Sequence, residues 1–73
     1  MRVRVGDIVT NNTKGSYSKL FSSPIGSLDP LQRKHTGNLI GIGVILDLQG
    51  SDVKLVCGEN IGWCYVGNVR VVE

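Results

Sequence analysis

The sequence predicts an all-β domain: a single small antiparallel barrel of five short strands spanning residues 1–73, with a long first loop. Two observations carry this. Between residues 39 and 72, apolar and β-branched residues recur in short runs punctuated by Gly, Asn and Asp, the pattern of strands separated by tight turns. Four of the runs fall within those thirty-four residues, which leaves room for hairpins but not for parallel crossovers. Residues 11–37, by contrast, show no regular period.

Val3-Arg4-Val5-Gly6-Asp7-Ile8-Val9-Thr10 reads as the first strand (residues 3–10), with a turn or bulge at Gly6-Asp7. The second runs from Leu39 to Leu48; Gly41 and Gly43 share a face there, as a sharp bend or close backbone approach requires. Gln49-Gly50-Ser51-Asp52 is a polar turn, and Val53-Lys54-Leu55-Val56-Cys57 is the third strand. If Gly58-Glu59-Asn60 closes the next hairpin, Leu55 lies opposite Trp63, which puts Cys57 on the face of Trp63 and Tyr65, and Cys64 on the reverse. Ile61-Gly62-Trp63-Cys64-Tyr65-Val66 is the fourth strand; Gly67-Asn68 turns the chain into a last one, Val69-Arg70-Val71-Val72. Closing these strands into a barrel removes exposed edges.

A chain of 73 residues removes only about 60–65% of its unfolded surface from water, so the core alone gives a modest stability margin. Two thiols on opposite faces do not form a disulfide, and reduced cysteines fit assembly in the cytoplasm. Charges interrupt the N-terminal segment where a signal peptide needs an apolar stretch. Leu39 to Leu46 is too short to span a bilayer, so no membrane partner is expected. Residues 1–37 carry Arg2, Arg4, Lys14, Lys19, Arg33 and Lys34 against Asp7 and Asp29, a net +4; residues 38–73 carry Lys54 and Arg70 against Asp47, Asp52, Glu59 and Glu73, a net −2. The basic half is the loop half, which favours an acidic partner surface.

Gly6-Asp7-Ile8-Val9, Gly41-Ile42-Gly43-Val44-Ile45, Val53-Lys54-Leu55-Val56, Gly62-Trp63 and Asn68-Val69-Arg70-Val71-Val72 together resemble the small SH3-like barrel proteins common in tailed-bacteriophage genomes. The resemblance covers residues 6–10 and 39–72. It implies an SH3-like fold and a viral context, with activity left open. Cys57 stands near where many members show an aromatic, and residues 11–37 exceed the usual first loop.

Little in the chain points to catalysis. His35 is the single histidine and has no nucleophile at a motif spacing; Cys57 and Cys64 with one histidine fall short of a structural zinc set. Scattered carboxylates fit turns and strand ends better than acid–base work. No cofactor or metal is expected. Trp63 and Tyr65, with Cys57, form either barrel core or a surface platform, and core is favoured because so small a domain must bury its largest side chain.

The loop is more suggestive. Tyr17, Leu20, Phe21, Ile25 and Leu28 make it too apolar for a disordered linker. Asp29-Pro30-Leu31-Gln32 reads as the start of a short helix running toward Gly37, with Arg33, Lys34 and His35 near its end. The apolar residues either close a mouth of the barrel or dock into a neighbour. The expected function is therefore a non-enzymatic protein–protein interaction module, a structural or accessory component of a phage particle (capsid, neck or tail), in the virion after assembly in the host cytoplasm. Its partners are other protein subunits, with Tyr17, Leu20, Phe21, Ile25 and Leu28 as apolar anchors and Lys14, Lys19, Arg33 and Lys34 as polar contacts. The alternative is a small-barrel nucleic-acid-binding or regulatory protein whose basic residues meet phosphates; it predicts steep salt dependence.

Overall fold

Backbone ladders, more than local propensity, decide which segments of this chain are strands. The computed structural model describes residues 3–12, 17–24 and 34–72. They form β1 (Ile8–Asn11), β2 (Ser18–Phe21), β3 (His35–Leu39), β4 (Ile42–Gln49), β5 (Asp52–Cys57), β6 (Asn60–Tyr65) and β7 (Val69–Val71), with one 3₁₀ turn at Val66–Asn68. All pairings are antiparallel, in a single sheet ordered β3-β2-β6-β5-β4-β1-β7. The all-β, antiparallel expectation holds. The strand count does not: among the described residues there are seven strands, and the sheet they form is open, with β3 and β7 at its edges.

The two additional strands come from the segment that has no period in the sequence. β2 and β3 pair with each other, and β2 meets β6 through Phe21 and Trp63. His35 and Thr36 are therefore strand residues and not the end of a helix; Asp29, Pro30, Leu31 and Gln32 lie outside the described residues. The stretch 39–48 is likewise not one strand. Leu39 ends β3, and β4 begins at Ile42 after a bend at Gly41.

Both hairpins flanking β5 use two-residue turns, Gly50-Ser51 and Gly58-Glu59. Each glycine has φ near +60° while no described non-glycine residue has positive φ, the signature of a type II′ turn, whose twist matches that of the strands. The second turn is one residue shorter than the sequence suggests, so the register shifts: Lys54, and not Leu55, lies opposite Trp63. Val53 faces Cys64 and Cys57 faces Asn60, which puts both cysteines on the same side of the sheet and Trp63 on the other. The thiols are free because about 13 Å of strand separates their ladder positions, not because they face opposite ways.

One side of the curled sheet holds the core: Val9, Leu20, Leu39, Ile45, Val53, Leu55, Cys57, Cys64 and Val69, joined by Val3. Every strand contributes. A bulge at Leu46 in β4 keeps Ile45 inward opposite Leu55 and turns Asp47 outward opposite Lys54. At the curl, the β2–β3 hairpin lies so close to β6 that a Cβ at Gly62 would stand 2.8 Å from the Phe21 carbonyl oxygen and 2.9 Å from Leu20 Cβ, besides meeting Thr36 Oγ1. Thr36 Oγ1 donates to the Ile61 carbonyl (2.8 Å) and Asn60 Nδ2 to the Asn38 carbonyl (3.2 Å). Ser18 is buried and donates to Asn11 Oδ1 (2.6 Å), tying β2 to the far half of the sheet where no ladder does. No helix among the described residues is long and apolar enough to cross a membrane.

Gly62→Ala has no space to relax into, since two of the neighbours are backbone or Cβ atoms. We expect it to cost about 1–3 kcal/mol, measured by urea unfolding; a loss below a few tenths would show that the hairpin can shift away freely.

Candidate functional site

In a sheet with one face on a core, outward positions are normally polar; here one transverse row of them is apolar. Val44 lies opposite Ile8 on one side and Val56 on the other, Val56 lies opposite Ile61, and the Val72 amide donates to the Ile8 carbonyl (2.8 Å). The result is a transverse row across β7, β1, β4, β5 and β6: Val72, Ile8, Val44, Val56, Ile61. At one ladder spacing per strand it is about 19 Å long. Ile8 (46%), Val44 (38%), Ile61 (47%) and Val72 (44%) are exposed, Val56 is half-buried, and Ile42, two residues from Val44 on β4, is 60% exposed. Ile42-Gly43-Val44-Ile45-Leu46 explains how this arises: apolar residues occupy both parities, so β4 presents hydrocarbon to the core and to the outside.

Register places a second row beside the first. Arg70 faces Thr10, Thr10 faces Ile42, and the line ends at the exposed Gly58-Glu59 turn. A cation thus stands at one end and a carboxylate at the other. Thr10 Oγ1 donates to the Gly41 carbonyl (2.7 Å), which fixes this edge of the row.

On the other flank, register lines up Asp47, Lys54, Trp63, Phe21 and His35. The Phe21 and His35 ring centroids are 6.2 Å apart. Trp63 is buried (8% exposed) yet stands outside the main core cluster. The expectation that it shares a core face with Cys57 is thereby corrected by the one-residue register shift. Tyr65 is exposed, its ring close against Gly67.

Of the residues expected to dock, Tyr17, Lys19 and Lys34 are exposed, and Phe21 is half-buried on the outer face. Leu20 is corrected: at 0% exposed it is a core residue, turned inward by strand alternation between Lys19 and Phe21. It closes the core, the other role open to it from sequence. Lys14, Ile25, Leu28 and Arg33 lie outside the described residues. The transverse row was not singled out from sequence, because recognising it needs the strand order and register; the one local signal is the apolar residues at both parities of β4.

Among the described residues, no group of three or more His, Cys, Asp or Glu side chains could hold a metal ion. Cys57 Sγ donates to the Ile40 carbonyl (3.2 Å). Burial pushes the Cys64 thiol up to about 11, and the Asp52 carboxylate adds to the shift. A thiol held neutral in this way is a core group and a poor nucleophile.

That shift has a stability consequence. The unfolded thiol titrates near 9.0; the folded protein holds its proton more tightly, so the contribution is complete below that pH and lost as pH climbs through about 11. The full loss is about 2–3 kcal/mol. In urea unfolding from neutral to strongly alkaline pH, the wild type should lose stability more steeply than Cys64→Ala; parallel pH profiles would refute the assignment.

No protein-family model, no curated protein and no solved structure matches this chain.

Proposed function

We propose that the chain is a small SH3-like β-domain acting as a non-enzymatic protein–protein interaction module, a structural or accessory subunit of a tailed-phage particle. The observation that carries this reading is the exposed apolar row across five strands. On so small a domain, a continuous patch of this kind marks a surface that a partner covers. The open, curled antiparallel sheet and the motifs quoted above support the kinship with SH3-like barrels. Exposed Tyr17 and Lys19 beside half-buried Phe21 extend the contact surface onto the β2–β3 hairpin, where the sequence locates its anchors. Nucleic-acid binding draws less support, since the buried Trp63 offers no free ring face for a base to stack on.

The triple variant Ile8→Thr, Val44→Thr, Ile61→Thr keeps β-branched residues at exposed positions, so its melting temperature should stay within a few degrees of wild type. In cells producing the phage, wild type should sediment with particles, and the variant should stay at the top of the gradient. If the variant is incorporated as well as wild type, or wild type never co-sediments, the proposal is wrong.

A further inference from the structure

We draw no further inference here: the strongest candidate, the outer flank of the edge strand β7, where Val71 turns its N–H and C=O away from β1, begins at the fully buried Val69 and so offers a single residue to a pairing strand, and nothing in the structure shows what covers it.

Discussion

A two-residue turn at Gly58-Glu59 decides which way every side chain of β5 and β6 faces. With period-two alternation, one extra residue in that turn would exchange the two faces of β6 against β5. The observed register puts Cys64 and Gly62 inward with Leu55 and Cys57, and leaves Ile61 and Trp63 outward. Both properties of the molecule follow from this. Inward, small residues on β6 leave room for the hairpin that closes the core; outward, Ile61 completes the row begun by Val72, Ile8, Val44 and Val56. Gly58 makes the register possible because a type II′ turn needs positive φ at its first central residue.

The second constraint is clearance. An open sheet of seven short strands has to curl to enclose a core, and at Gly62 the backbone of β2 approaches β6 with no space for a side chain. Leu20 and Leu39, both fully buried, are delivered to the core by that approach. The hairpin thus belongs to the fold. Its outward residues, Lys19 and Phe21, are positioned by the same strand alternation that buries Leu20.

Much of the scaffold is legible in the sequence because its signals are local: the alternation of Val53 to Cys57, the turn residues at Gly50 and Gly58, the glycine-marked bend at Gly41. The strands β2 and β3 are not. His35-Thr36-Gly37-Asn38 is polar with a glycine, and Ser18-Lys19-Leu20-Phe21 has one core residue; neither looks like a strand until a partner supplies the ladder. The site is hidden for a related reason. Each member of the apolar row is an ordinary strand residue in its own segment, and only the order β7-β1-β4-β5-β6 brings them into line. Naming Leu20 as a contact followed from reading its segment as a loop, where alternation has no say.

The row also bears on how such a small domain stays folded. Four of its five side chains, Ile8, Val44, Ile61 and Val72, are exposed in the free chain, so they add little to the core's modest margin, and substitutions at those four leave the isolated fold nearly unchanged. Once a partner covers the row, the linkage between binding and folding adds stability that grows with concentration, about 2.7 kcal/mol when the free partner stands a hundredfold above its dissociation constant. The same four residues are then close to neutral for the monomer and decisive for the assembly. An apolar face serving only as strand propensity would show no such concentration dependence, because propensity acts within one chain.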